Sequence, residues 1–293
     1  MFESINRFWA WIILFILTLL VTGCGASHTN FTSAADARSQ ENAVPVDPSN
    51  PSEPAASDIR ATRVDLTVSA AASLTDALTE IEQAYELQHP SIELSFNYGG
   101  SGALQRQIEQ GAPVDLFISA SADNMLALAD KHLIDAAQTA NLLNNELVVV
   151  IPADSKLTIA SEADLAQAGV GTIAIGIPES VPAGQYAKES LTNAKLWDAL
   201  QAKTVQGKDV RQVLQYVETG NADAGFVYRT DALSSRKVAV AFEVDPATYP
   251  LIEYPVGIVK ATKHPKEAED LYHYLQSQEA LDVFDQYGFS VPK

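Results

Sequence analysis

The sequence predicts an α/β protein with largely parallel sheets, divided into two lobes. From Val64 onwards, short segments of strand-like pattern alternate with segments whose apolar residues recur at helical spacing. The strand-like segments also fall into groups on either side of two crossing segments, near Glu146 and Tyr254, which favours two lobes joined by a hinge over one large sheet. A chain of 293 residues with 47% hydrophobic residues is large enough for two modest lobes.

The predicted elements follow in chain order. Strands are predicted where apolar residues alternate or form a short continuous run, at residues 64–70, 91–96, 115–119, 146–151, 171–177, 224–228 and 254–259. Helices are predicted where the apolar spacing is helical, at residues 74–87, 103–110, 210–218 and 265–276. We assign residues 63–145 and 258–293 to the first lobe and residues 146–257 to the second.

The first 62 residues are expected to lie outside the fold. Residues 1–23 have the parts of a secretory signal peptide, namely Arg7, an unbroken apolar run from Phe8 to Val21, and small residues before Cys24. A plain N-terminal membrane anchor is the alternative, although the run is shorter than the roughly 20 residues that a spanning helix prefers. Residues 24–62 are rich in Ser, Ala, Asn and Pro and lack apolar periodicity, which predicts a flexible tether.

Cys24 is the only cysteine, so no disulfide can form within the chain. The segment Val21-Thr22-Gly23-Cys24 resembles the lipobox of bacterial lipoproteins, whose cysteine is acylated after cleavage. The alternative is an unmodified buried thiol. The resemblance implies an exported protein held by lipid on a membrane that faces the periplasm or the cell exterior.

The charge and the histidines exclude some partners. A formal net charge of -18 argues against nucleic acid and anionic membrane surfaces, because Lys and Arg would have to neutralise their phosphates. Five scattered histidines and one cysteine form no cluster with the spacing of a zinc site.

Predicted joints between strands and helices offer the best candidates for a ligand site, because ligands of open α/β sheets collect there. Ser73 and Ser101 each begin a predicted helix, the second within the segment YGGSGA. Ala183 precedes another helix-like segment, and Val210 begins the helix at 210–218. Each joint presents free backbone N–H groups and the positive end of a helix dipole, which together form an anion site.

Structural interpretations of the same residues stay open at this point. Ser73 with Asp76 fits a capping box, and the glycines around Ser101 fit a simple turn. Tyr228, at the end of a predicted strand, fits packing. We expect Arg106 and Arg211 to lie along solvated helix surfaces.

Several long stretches, in order, resemble the periplasmic molybdate-binding proteins of ABC transporters. They are AAASLTDAL, GGSGALQRQIEQGAPVDLFISA, NELVVVIP, IAIGIPESVPAGQYAKESL, the segment around Lys208-Asp-Val-Arg211, AGFVYRTDA, EYPVGIV and YGF, between Val64 and the C-terminus. The resemblance implies the type II periplasmic binding protein fold, with two lobes that are each a mainly parallel sheet flanked by helices and a ligand cleft between them.

The resemblance also implies the ligand and its donors. A tetrahedral oxyanion, molybdate or tungstate, is expected to bind Ser73 and Ser101 through hydroxyl and backbone N–H groups, Ala183 and Val210 through backbone N–H groups, and Tyr228 through its phenol. The protein would be a monomer without a cofactor or enzymatic activity, and would deliver the anion to an ABC permease. The ATPase must be another chain, because Ala202 stands where the first glycine of a phosphate-binding loop ending at Gly207-Lys208 would be.

Three other hypotheses remain. The ligand could be another oxyanion such as sulfate, which is also fully deprotonated. An arginine clamp for a carboxylate ligand could use Arg106, Arg211 or Arg229. An exported serine hydrolase could use Ser101, since GGSGA approaches a nucleophile elbow and His264 or His273 lies downstream, although Ala103 replaces its last glycine.

Overall fold

The computed structural model describes residues 63–292, which form two five-stranded sheets with helices packed against them. The predicted signal peptide, Cys24 and the predicted tether lie outside the described residues. Among residues 63–292, no helix is both long and apolar enough to cross a bilayer.

The strands and helices are numbered here in chain order. The strands are β1 (Val64–Ala71), β2 (Ile92–Gly99), β3 (Leu116–Ile118), β4 (Ile134–Asn145), β5 (Leu147–Pro152), β6 (Ile173–Gly176), β7 (Thr204–Gly207), β8 (Ala224–Tyr228), β9 (Val238–Glu243) and β10 (Ile252–Val259). The α-helices are α1 (Thr75–Gln88), α2 (Ser101–Glu109), α3 (Ala122–Asp130), α4 (Pro182–Asn193), α5 (Trp197–Leu200), α6 (Val210–Glu218), α7 (Arg229–Leu233), α8 (Pro265–Leu275) and α9 (Gln278–Gln286). Short 3-10 helices lie at Ala72–Leu74, Glu162–Ala166, Gln201–Lys203 and Pro246–Thr248.

Each sheet is mixed, with two parallel and two antiparallel pairings. The first has the strand order β2-β1-β3-β10-β4, with β1 parallel to β2 and β3, and β10 antiparallel to β3 and β4. The second has the order β7-β6-β8-β5-β9, with β6 parallel to β7 and β8, and β5 antiparallel to β8 and β9. The expectation of mainly parallel sheets is therefore corrected. The strands that enter from the other sheet need no crossover helix, and so they are free to pair antiparallel.

The chain changes sheet twice, and we call each sheet with its packed helices a lobe. It leaves the first sheet at the end of β4 (Asn145) and enters the second with β5 at Leu147. It returns between the end of β9 (Glu243) and the start of β10 (Ile252). The predicted boundary between residues 257 and 258 lies inside β10, so it is wrong by several residues. The apolar pattern alone marked the strand and did not show which sheet would receive it.

The amphipathic pattern of the sequence explains how these layers pack. Residues 147–150 of β5 are fully buried, as expected of a strand that is covered on both faces. Helix α6 buries Val210, Val213, Leu214 and Val217, the helical spacing of a single apolar face, against β8 and β6. The sheets are therefore fixed by their cores, and the loops at the strand ends are free to form a site.

A candidate binding cavity between the two sheets

A small cavity lies where strand ends of both lobes meet, and about 10 Å³ of it is accessible to the centre of a water-sized sphere. A water needs roughly 10–15 Å³ of such volume, so the cavity has room for about one water in this structure. Four of the five predicted site residues line it, namely Ser73 and Ser101 from the first lobe and Val210 and Tyr228 from the second. The structure therefore brings together residues that are up to 155 positions apart in the chain.

Ala183 does not line the cavity, although its two preceding neighbours, Val181 and Pro182, do. Ala183 is fully buried in the first turn of α4. Glycine allows this helix start to lie close to the sheet, because a Cβ on Gly184 would be 2.0 Å from the carbonyl oxygen of Gly176. The N–H of Gly184 donates to the carbonyl of Val181 at 2.9 Å, and Pro182 has no N–H, so Ala183 carries the remaining first-turn donor. The role that the resemblance implies for this N–H stays a prediction.

Ser101 is the first residue of α2, and its side chain is completely buried. Its Oγ accepts a hydrogen bond from the backbone N–H of Ala120 at 2.9 Å. An N–H group can only donate, so this contact occupies an acceptor position of the hydroxyl and leaves the Ser101 proton available to a ligand in the cavity.

Ser73 lies in the 3-10 turn Ala72–Leu74 between β1 and α1, and it does not cap α1. Its Oγ is 2.9 Å from the hydroxyl of Tyr254 on β10. Asp76, the other half of the predicted capping box, instead forms an ion pair with Arg211. The capping-box interpretation is therefore wrong. The inserted 3-10 turn places Ser73 one residue outside the capping position of α1.

Tyr228 ends β8 and is 1% exposed. Within residues 63–292, its hydroxyl has no hydrogen-bond partner. Burial raises the pKa of the Tyr228 phenol well above its usual value, so the group keeps its proton at neutral pH. A buried hydroxyl without a partner costs about 1–3 kcal/mol, and this one borders a cavity that a hydrogen-bond acceptor can fill.

Val210 begins α6, and Asp209 caps this helix through its side chain, which accepts the backbone N–H of Gln212. The cap satisfies one first-turn donor and leaves the N–H of Val210 without a partner within the helix. Val210 thus lines the cavity at the positive end of the α6 dipole, and the role that the resemblance implies for its N–H stays a prediction.

The described residues that line the cavity include no arginine, lysine, aspartate or glutamate. Arg211 does not lie along a solvated surface as expected. Its Nη2 is 2.6 Å from Oδ2 of Asp76, and its Nε is 2.8 Å from Oδ1 of the fully buried Asp231. Burial of Asp231 outweighs its attraction to Arg211 and raises the pKa of this carboxyl to about 6.

The other two arginines are also engaged elsewhere. Arg106 donates to the backbone carbonyl of Glu179 across the lobes at 3.3 Å. Arg229 forms exposed ion pairs with Glu146 and Glu243. None of the three arginines lines the cavity, so the arginine-clamp hypothesis is wrong.

The two lobes touch each other around the cavity. The backbone N–H of Gly102 donates to the carbonyl of Ser180 at 3.0 Å. The hydroxyl of Tyr186 donates to the carbonyl of Ala120 at 3.3 Å. A Cβ on Gly100 would be 2.8 Å from the Ser180 carbonyl oxygen, so only glycine permits this approach. The arrangement is a closed one, with little access to the cavity from solvent.

The serine hydrolase hypothesis finds no catalytic base. Ser101 keeps a free hydroxyl proton, but a nucleophilic serine must donate that proton to a base. His264 directly precedes α8 and borders a separate pocket beside Asp115, and the side chain of His273 is 68% exposed on α8. Neither histidine lines the cavity.

The chain matches the family of bacterial extracellular solute-binding proteins over residues 66–290. It belongs to this family. Its relatives include YvgL from Bacillus subtilis (strain 168), whose name proposes an ABC transporter substrate-binding lipoprotein, with 54% identity over 228 residues, 78% of this chain and 87% of YvgL. The molybdate-binding protein ModA of Escherichia coli (strain K12) is 39% identical over 230 residues, 77% of this chain and 89% of ModA.

The fold agrees with a solved structure of the same class. The periplasmic molybdate-binding protein of Azotobacter vinelandii superposes with a TM-score of 0.71 at 24% identity, covering 78% of this chain and all of that one. The periplasmic binding protein fold is thus confirmed. This family member is an extracytoplasmic solute-binding protein of an ABC transporter and not an enzyme, and such proteins bind their solute as transported cargo and not as a cofactor.

Sequence reasoning missed the residues behind the cavity wall. The hydroxyl of Tyr254 contacts Ser73, and the amide of Asn145 contacts Tyr254. The hydroxyl of Tyr186 contacts the opposite lobe. Tyr254 lies in EYPVGIV, which the sequence marked as a strand and as one of the resembling stretches, without a role for this tyrosine. No local pattern signals the role of this tyrosine, because its partner Ser73 is 181 residues away.

Proposed function

We propose that this protein captures molybdate, and also tungstate, and delivers the anion to an ABC permease. The single observation that carries the proposal is the buried hydroxyl of Tyr228, which has no partner among the described residues and borders a cavity lined by further donors. Ser73, Ser101 and the N–H groups at the starts of α4 and α6 complete a set of donors from both lobes.

A site of this kind suits an anion despite the net charge of -18. The hydroxyls and helix starts lie within hydrogen-bonding range of a bound anion, whereas distant surface carboxylates are screened over a Debye length of about 8–10 Å. Hydrogen bonds to a charged group contribute roughly 1.5–3 kcal/mol each, so about half a dozen offset the cost of desolvating a dianion.

The donor-only wall favours an anion without protons. The second pKa of a phosphate ester is about 6, so a phosphate near neutral pH carries a proton part of the time, and a wall hydroxyl that accepts this proton no longer donates to the anion. Molybdate, tungstate and sulfate bring no such proton. Selection among these three would then rest on the size of the anion.

The same proposal covers the attachment and state of the protein. Residues 1–23 serve as a lipoprotein signal peptide, Cys24 carries the lipid, and residues 24–62 act as the tether that holds a monomeric binding domain on the outer side of a membrane. The support is the sequence Val21-Thr22-Gly23-Cys24 and the name of YvgL, which includes the word lipoprotein.

Calorimetric titration of the purified full-length protein with sodium molybdate, tungstate, sulfate and phosphate tests the ligand. We expect tight binding of molybdate and tungstate, weaker binding of sulfate and the weakest binding of phosphate. The proposal is wrong if phosphate binds as tightly as molybdate, or if none of the four anions releases heat on addition.

A further inference from the structure

Two buried residues behind the cavity wall form a hydrogen-bonded chain that ends at Ser73. Asn145 is the last residue of β4 and is 8% exposed, and Tyr254 on β10 is completely buried. The Nδ2 atom of Asn145 is 3.2 Å from the Tyr254 hydroxyl, which in turn is 2.9 Å from Oγ of Ser73. Neither Asn145 nor Tyr254 lines the cavity.

The backbone fixes the orientation of the Asn145 amide. The N–H of Glu146 donates at 2.9 Å to Oδ1 of Asn145, and an N–H can only donate, so the atom that it contacts must be the amide oxygen. The amide nitrogen then faces Tyr254 and also Oγ1 of Thr230 on α7, at 2.9 Å. Asn145 thus donates one hydrogen within the first lobe and one to the second.

This orientation occupies one acceptor position of the Tyr254 hydroxyl, because the Asn145 amide nitrogen can only donate to it. The contact between the Tyr254 and Ser73 hydroxyls fits either direction. When Tyr254 donates, Oγ of Ser73 accepts that proton and keeps its own hydrogen for the cavity that it lines. The arrangement parallels Ser101, whose acceptor position is occupied by the N–H of Ala120.

We propose that Asn145 and Tyr254 are positioning residues that hold the Ser73 hydroxyl as a donor towards the ligand, and that this fixed polarity makes the site select fully deprotonated oxyanions. The proposal deepens the function given above and rests on it. Asn145 is the last residue before the chain crosses to the second lobe, and it also donates a hydrogen bond to Thr230 on α7 of that lobe. The residue that sets the direction of the Ser73 hydroxyl is therefore the same residue that links the two lobes.

The substitution Asn145→Asp reverses the chain. A carboxylate accepts hydrogen bonds only, so the Tyr254 proton would turn to residue 145, and Ser73 would then donate to Tyr254. Only lone pairs of Ser73 would face the anion. We expect molybdate affinity to fall at least about 100-fold, and the ratio of molybdate to phosphate affinity to fall as well, because Ser73 could accept the proton of hydrogen phosphate.

The adjacent substitution Asn144→Asp is the matched control. Asn144 accepts a hydrogen bond from Asn141 through Oδ1, which an aspartate keeps, and it gains the same charge one residue away. We expect Asn144→Asp to change molybdate affinity by less than about 5-fold and to leave the ratio of molybdate to phosphate affinity unchanged.

The pH dependence of molybdate affinity distinguishes the positioning role of Asn145 from a merely structural one. A protonated carboxyl donates one hydrogen, so lowering the pH restores the donor to Tyr254, and burial raises the pKa of such a carboxyl towards neutrality. We expect the affinity of the Asn145→Asp protein relative to wild type to recover on going from about pH 8 to about pH 5. The titratable groups around this position are Asp231 with its partner Arg211, and the phenols of Tyr254, Tyr228 and Tyr186, and they are common to both proteins.

The substitution Tyr254→Phe tests the chain without adding charge, and it carries the test if Asn145→Asp does not fold. We expect molybdate affinity to fall about 3- to 10-fold with a lower ratio of molybdate to phosphate affinity, and no recovery in acid relative to wild type. Unchanged affinity and unchanged ratio in Tyr254→Phe, or identical pH profiles for Asn145→Asp and Asn144→Asp, would overturn this inference while the proposed function stands. A wild-type protein that binds none of the four anions would overturn both.

Discussion

Arg211 on α6 and Asp76 on α1 join the two lobes through an ion pair, with 2.6 Å between Nη2 and Oδ2. The same guanidinium contacts the backbone carbonyl of Ser73 at 3.4 Å and pairs with the buried Asp231 of its own lobe. Arg211 therefore reaches from the second lobe to the back of the cavity without entering it. The pair exists only when the lobes are in contact, so it stabilises the closed arrangement.

Removing this bridge should weaken ligand binding modestly. Both side chains are partly exposed, so the pair contributes roughly 0.2–1 kcal/mol, and Asp76→Ala should lower molybdate affinity by a factor of about 1.4 to 5. Small-angle X-ray scattering of the ligand-free variant should show a larger radius of gyration than wild type. Glu109→Ala, which removes an ion pair with Lys131 inside the first lobe, is the control and should change neither quantity.

Tyr228→Phe should separate binding from stability. The variant loses a donor to the anion, so molybdate affinity should fall about 10- to 100-fold. It also removes a buried hydroxyl without a partner among the described residues, so the free energy of unfolding without ligand should stay equal or rise by up to about 1 kcal/mol.

Tyr85→Phe is the control for this pair of measurements. Tyr85 is also completely buried, with a hydroxyl that has no partner within residues 63–292, but it lies in α1 against the ring of Tyr274, and it does not line the cavity. Urea denaturation should give a similar small effect for both variants, while calorimetry should show normal binding for Tyr85→Phe only. Normal binding by both would mean that the Tyr228 phenol does not contact the ligand.

Gly100→Ala should disfavour the closed arrangement of the two lobes without destabilising either lobe. The new Cβ would lie 2.8 Å from the Ser180 carbonyl oxygen and 2.9 Å from that of Lys208, and both belong to the second lobe. Overpacking of this size costs typically 1–3 kcal/mol, so affinity should fall about 5- to 150-fold with little change in the unfolding free energy of the ligand-free protein. Gly99→Ala is the control, because its Cβ would meet only Leu104 of the same lobe at 3.4 Å. Equal affinities of the two variants would contradict the closed geometry.

Asp231 should make stability depend on pH. Its pKa of about 6 in the folded protein lies above the usual value of about 3.9, so the folded protein holds a proton that the unfolded chain has released. The contribution of Asp231 to the free energy of unfolding should therefore fall by about 3 kcal/mol as the pH rises from about 4 to about 6, and stay level above that.

Urea denaturation of wild type and of Asp231→Asn across this pH range gives the free energy of unfolding of each protein, and the difference between the two is the contribution of Asp231. Carboxyls with a lowered pKa, such as Glu109, affect both proteins equally and cancel in this difference. The difference curve should decline from about pH 4 to about pH 6. A flat difference would show that Arg211 keeps the Asp231 carboxyl ionised throughout.

Cys24→Ser should abolish incorporation of radiolabelled palmitate into the protein and release it from the membrane fraction. The expectation follows from Cys24 being the only thiol and standing directly after Val21-Thr22-Gly23. Ser27→Ala, close to the same position, is the control and should leave labelling intact. Continued membrane association of the unlabelled Cys24→Ser protein would favour a plain hydrophobic anchor.

The sequence by itself determined the α/β class, most element positions and four residues that line the cavity. These follow from local information: apolar periodicity marks β1 and α6, and a run such as GGSGALQRQIEQ carries both its helix and the resemblance that singled out Ser101. The prediction for Ala183 shows how precise such local information is. The structure places its neighbour Pro182, one position earlier, at the cavity wall instead.

Only the tertiary structure decided which residues stand behind that wall. The partner of Ser73 is Tyr254, 181 positions away, and Arg211 meets Asp76 from the opposite lobe. These contacts depend on β10 returning to the first sheet and pairing antiparallel with β3 and β4. Periodicity indicates which face of a strand is buried, but it does not indicate which strand pairs with which. Strand pairing is decided by the packing of the whole core.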